Sequence, residues 1–72
     1  MTDSYRIDVD CAACALKMEN AARKVDGVED CSVNLMLQKM DVAFADNADK
    51  QDVMKTVRKM CKRVERDCEV YL

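Results

Sequence analysis

Tyr5-Arg6-Ile7-Asp8-Val9-Asp10-Cys11-Ala12-Ala13-Cys14-Ala15 is the stretch on which the fold turns. Tyr5, Ile7 and Val9 alternate strictly with Arg6 and Asp8. That period of two marks a strand with one buried face. At Asp10-Cys11 the alternation stops, and three small alanines around a second cysteine favour an early helical start. From Cys14 to Val25 the apolar positions Leu16, Met18, Ala21, Ala22 and Val25 fit one helical stripe, with Lys17, Asn20, Arg23 and Lys24 outside it. Asp26-Gly27, carrying the only glycine of the chain, ends the helix.

The same two periods recur downstream. Cys31, Val33 and Leu35 alternate with Asp30, Ser32 and Asn34; Met40, Val42 and Phe44 alternate with Lys39, Asp41, Ala43 and Ala45. A turn near Met36–Gln38 links them, although it lacks the favoured Asn-Gly or Asp-Gly pair. Asp46-Asn47-Ala48-Asp49 offers helix N-caps. Val53, Val57, Met60, Cys61 and Val64 then recur at helical spacing, and Cys68 to Leu72 alternate once more. The order is strand, helix, strand, strand, helix, strand. Two helices with one apolar stripe each must cover one face of a four-stranded antiparallel sheet. This is the α+β split-βαβ, or ferredoxin-like, βαββαβ sandwich. It is expected as one domain over residues 1–72, and it brings Asp10–Cys14 opposite Lys62–Asp67.

Composition narrows the function. The chain has 72 residues, 50% hydrophobic and 36% charged, with net charge −2. That supports a small packed core rather than disorder. No apolar run approaches a bilayer span of about 20 residues. Met1-Thr2-Asp3-Ser4 does not read as a secretory signal, so a cytoplasmic location is expected. With one Phe, two Tyr and no Trp, a nucleic-acid role is not expected. Five Cys is an odd number for a disulfide framework, and zero His removes the commonest general base. A catalytic role is not expected.

Cys11-Ala12-Ala13-Cys14 puts two thiols across a helix start. There the free N–H groups and the helix dipole favour thiolates, and two thiolates can hold one soft ion. A thioredoxin-type dithiol and plain core cysteines are the alternatives. Asp10 adds an oxygen donor. Two-coordinate Cu(I) gains little from it, whereas Zn(II), Cd(II) and Pb(II) take three or four ligands and accept oxygen. Two thiolates and a carboxylate leave a coordination position free, which suits handing a metal on.

Asp10-Cys11-Ala12-Ala13-Cys14-Ala15, then Lys17-Met18-Glu19-Asn20-Ala21 and Asp26-Gly27-Val28, resemble the heavy-metal-associated domains of metallochaperones and soft-metal P-type ATPases. The Asp-Cys-x-x-Cys form and the tail Val64-Glu65-Arg66-Asp67-Cys68-Glu69-Val70 are similar to the zinc-, cadmium- and lead-exporting branch. Copper members more often carry Met-Thr-Cys-x-x-Cys. The resemblance implies that Cys11 and Cys14 are ligands and Asp10 a third. It implies a cargo of Zn2+, Cd2+ or Pb2+, with Cu+ or Hg2+ as the alternative. The implied partners are the domains of a P-type ATPase or another metal-binding domain, and the implied state is a monomer or a metal-bridged dimer. Where family members have Gly-Met or Gly-Leu before the Asp, this chain has Asp8-Val9; Asp8 adds negative charge near the site.

The remaining sulfurs read differently. Cys31 takes an inward strand position and is expected in the core. Cys61 and Cys68 are also expected in the core, but the topology sets them near the metal edge, where one could supply an extra thiol. Met18, Met40 and Met60 fall on core faces, and no Met-x-x-Met cluster exists. Residues 1–49 carry net −5 and residues 50–72 net +3. Lys55, Arg58, Lys59, Lys62 and Arg63 form one helix side, either solvated or a docking face for an acidic partner. Lys62 and Arg63 could also offset thiolate charge.

Overall fold

The computed structural model describes residues 2–72. Its elements are β1 (Thr2–Asp8), α1 (Ala12–Arg23), β2 (Val28–Asn34), β3 (Lys39–Phe44), α2 (Lys50–Val64) and β4 (Glu69–Val70). The strands form one antiparallel sheet in the order β2-β3-β1-β4, so the expected βαββαβ sandwich is the fold. β1 is central, pairing β3 from Thr2↔Ala43 to Arg6↔Lys39 and β4 at Ile7↔Val70 and Asp8↔Glu69.

The core follows the two periods. Ile7 and Val9 from β1 and its exit, Cys31 from β2, and Met40, Val42 and Phe44 from β3 meet Ala15, Met18 and Ala22 of α1. Val53, Met54, Val57 and Cys61 of α2 complete the layer. Arg6, Asp8, Ser32, Lys39 and Asp41 lie on the exposed face of the sheet. The helical stripes are narrower than the sequence suggests. Leu16 is 56% exposed and Val64 42%, because each sits at the edge of its stripe where the other layer no longer reaches. The final strand is shorter too: only Glu69 and Val70 are strand, Tyr71 adds one N–H bond to the Arg6 carbonyl at 2.9 Å, and Tyr71 and Leu72 are exposed.

α2 begins at Asp49, whose carboxylate accepts from the N–H groups of Gln51 (3.1 Å) and Asp52 (3.4 Å). Lys62 and Arg63 in its last turn complement the dipole. Between α1 and β2, Gly27 adopts φ 95°, in the left-handed region. A Cβ there would come within 2.7 Å of Val53 Cγ2. Gly27→Ala should therefore combine backbone strain with overpacking and destabilise the fold by about 2 kcal/mol. Urea unfolding monitored by far-UV circular dichroism tests this; an unchanged midpoint would refute it.

Candidate metal centre

β1 delivers the chain to the edge of the sheet, and Cys11 turns it into α1. Cys11 is extended (φ −146°, ψ 151°) and acts as the helix N-cap. Its sulfur accepts from the Cys14 N–H at 3.1 Å, and its carbonyl accepts from the Ala15 N–H at 3.0 Å. A sulfur thus stands where a Ser or Asp oxygen usually does. That N–H and the positive end of the helix are what this sulfur faces.

Cys11 and Cys14 are joined as a disulfide, with Cα atoms 5.3 Å apart. Both are half-buried, while Asp10 is exposed. One donor atom from each of Asp10, Cys11 and Cys14 lies within 4.8 Å of the others. Two sulfurs held at about 2.3 Å by one zinc ion lie at most about 4.6 Å apart.

The segment expected opposite the CxxC does approach it, but through a residue the sequence analysis did not single out. Glu65, which caps the C-terminus of α2, places Oε2 3.2 Å from Cys14 Sγ. Its place just past the α2 stripe, in the segment the topology sets against the motif, was the available signal. The two cysteines flanking that segment face inward instead. Cys61 is 0% exposed and its thiol donates to the Met18 carbonyl at 3.6 Å. Cys68 is 2% exposed and its thiol donates to the carbonyls of Glu65 (2.9 Å) and Cys61 (3.6 Å). With Cys31 they are free, buried thiols. Lys62 pairs with Glu69: its Nζ lies 2.6 Å from Glu69 Oε2, a hydrogen bond that raises its pKa above the ordinary lysine value.

The profile of the heavy-metal-associated domain matches residues 4–63. The chain belongs to the heavy-metal-associated domain family. It is 34% identical over 64 residues to heavy metal-associated isoprenylated plant protein 28 of Arabidopsis thaliana, covering 89% of this chain and 39% of that protein. The chain therefore spans about two-fifths of that relative's length. A CopZ metallochaperone superposes with TM-score 0.76 at 18% identity, covering 99% of this chain and 100% of the other, and shares the fold. The Cu(I)-loaded N-terminal domain of a potential copper-translocating P-type ATPase from Bacillus subtilis superposes with TM-score 0.73. It is 26% identical, over 99% of this chain and 84% of that one. Heavy-metal binding by a ferredoxin-like module is thus a family property of this chain.

The buried thiols give a pH prediction. Burial, then the Glu19 carboxylate, pushes Cys31 from 9.0 up to about 12, and burial also pushes Cys61 from 9.0 to about 12. Above pH 9 the unfolded chain releases these protons while the folded chain keeps them. Stability should hold below that pH and fall between pH 9 and 12, by up to about 1.4 kcal/mol per pH unit for each thiol. Urea midpoints of the reduced protein measured across that range check this. A Cys31→Ala variant should show a shallower decline; an identical slope would remove Cys31 from the account.

Proposed function

We propose that this domain carries a divalent soft or borderline metal ion, Zn(II), Cd(II) or Pb(II), on Cys11, Cys14 and Asp10, and passes it on by ligand exchange. The observation that carries this reading is the three-donor cluster at the exposed start of α1, two sulfurs and one oxygen within 4.8 Å. A carboxylate beside two thiolates serves an ion wanting three or four donors and is superfluous to two-coordinate Cu(I). Charge points the same way. Asp8 at the end of β1 and Glu65 against Cys14 add negative charge at this end of the molecule, which stabilises +2 more than +1.

The domain performs no chemistry on its cargo. It works on the cytosolic side, either as part of a metal-exporting P-type ATPase or as a chaperone delivering to one. Lys55, Arg58 and Lys59 on α2 are exposed, with no carboxylate in ion-pair distance among the described residues. They suit an acidic docking partner. Cu(I) is the second reading. A Cu(I)-loaded structure at 26% identity favours it, and two thiolates alone would satisfy that ion.

Asp10→Ala separates the two. The divalent ion loses one of three protein donors, at about 1.5–3 kcal/mol by analogy with a charge-assisted contact, or one to two powers of ten in affinity. Cu(I) on Cys11 and Cys14 should hold or tighten, because a negative charge leaves a complex already at −1. Competitive titration of reduced wild type and variant against chromophoric chelators measures both. Equal weakening of both ions, or no change in either, would sink the divalent assignment.

The donor assignment has its own test. Cys11→Ser and Cys14→Ser should each abolish tight binding. Cys31→Ser should keep one ion per chain while lowering stability, since it puts a hydroxyl into the core. Oxidised wild type should bind nothing until a reductant opens the Cys11–Cys14 disulfide. A cadmium charge-transfer band of full intensity in Cys14→Ser would move the site elsewhere.

A further inference from the structure

We propose that Gln38, in the β2–β3 turn, is the positioning residue of the metal-binding loop, acting through the backbone of Val9; this rests on the donor set proposed above. Beyond Asp8 the first strand outruns its neighbours. β3 pairs with β1 only as far as Arg6↔Lys39, and β4 only at Ile7 and Asp8. Val9 itself is buried, so its N–H and C=O need partners that neither strand supplies.

Gln38 supplies both. Its Oε1 accepts from the Val9 N–H at 2.8 Å and its Nε2 donates to the Val9 carbonyl at 2.7 Å. The side-chain amide thus pairs with Val9 as a further strand residue would. The second Nε2 hydrogen goes to the Leu35 carbonyl at 2.6 Å, tying the clamp to its own turn. The Gln38 carbonyl also accepts from the Ile7 N–H at 3.0 Å. Reversing the amide would set Oε1 against two carbonyls, so the network fixes one orientation.

The backbone conformation at this position is itself unusual. Gln38 sits at φ 53°, the one non-glycine residue with positive φ among the described residues. Glycine takes this conformation freely and asparagine readily, but neither reaches Val9. A strained residue held by four hydrogen bonds next to a site points from geometry to role. One residue separates Val9 from Cys11, and Asp10 is that residue. The direction in which both donors leave the sheet is therefore set by the peptide planes that Gln38 grips. Donor sites depend on such supporting contacts for their geometry.

Gln38→Gly removes the clamp and relieves the backbone, so the fold should survive it. Gln38→Asn keeps an amide but is one methylene short. In both, Zn(II) affinity of the reduced protein, titrated with zinc ion and a chromophoric chelator, should fall by about tenfold, while the melting temperature stays within about 5 °C of wild type. Amide exchange at Val9 and Asp10 should quicken. Wild-type zinc affinity in either variant overturns the proposal. So does a loss no larger than that of Cys31→Ser, which lowers stability without touching the loop. The divalent reading can fail separately: if Asp10→Ala leaves zinc unchanged while Gln38→Gly weakens it, the clamp stands and the third donor falls.

Discussion

The N–H of Cys14 donates to the sulfur of Cys11 across 3.1 Å, and the first helix starts on that contact. A helix must satisfy its first N–H groups somewhere, and here a sulfur does it. Two requirements meet in one atom. As a cap, Cys11 has to stay extended and fixed at the end of β1. As the metal donor we propose, it has to stay reachable and ionised. The helix dipole serves both, since the field that stabilises a negative cap also stabilises a thiolate. The sheet serves them as well, because a central strand is the most firmly held place from which to launch such a turn.

The five cysteines divide according to this geometry rather than by sequence neighbourhood. Cys11 and Cys14 stand where α1 begins and are half-buried. Cys31, Cys61 and Cys68 sit under the helices, where burial keeps them protonated. A protonated thiol is a poor ligand, and none of the three belongs to the donor cluster of Asp10, Cys11 and Cys14. Methionine plays a parallel part. Met18, Met40 and Met54 fill the interior of a chain with one Phe and no Trp, where unbranched side chains adapt to the gap between two helices and a twisted sheet.

Most of the architecture was legible because each element carries its own period. Ile7 and Val9, Met40 to Phe44, and Val53 to Cys61 announce strand, strand and helix through the spacing of their buried members. The edges were not legible. Leu16 and Val64 match their helical stripes, yet the exposure of a stripe's margin depends on how far the opposing layer extends, which periodicity does not encode. At the site, the cysteine pair and Asp10 could be found from chemistry and adjacency. Gln38 could not, since it reaches the loop from a distant part of the chain, and Glu65 only through the place of its segment in the topology. Glu65 lies inside the segment that the topology sets opposite the motif, but residue type alone favours the softer thiols on either side of it. Gln38 stands where a turn commonly has glycine, and only its side-chain pairing with Val9 distinguishes it.

A carrier needs a site that binds without enclosing. Closed four-ligand sites hold a metal for structure, and a free position is what permits a second protein's donor to enter before the first has let go. The arrangement at α1 suits the carrier role we propose through its asymmetry. One side of the loop is gripped through Val9 by the Gln38 amide, and the other side, with Asp10 exposed and both sulfurs half-buried, faces outward. Rigidity behind the donors limits the reorganisation that capture requires, while access in front leaves room for exchange. The disulfide draws on the same two sulfurs, so in the reading proposed here the site has to be reduced before it can be loaded.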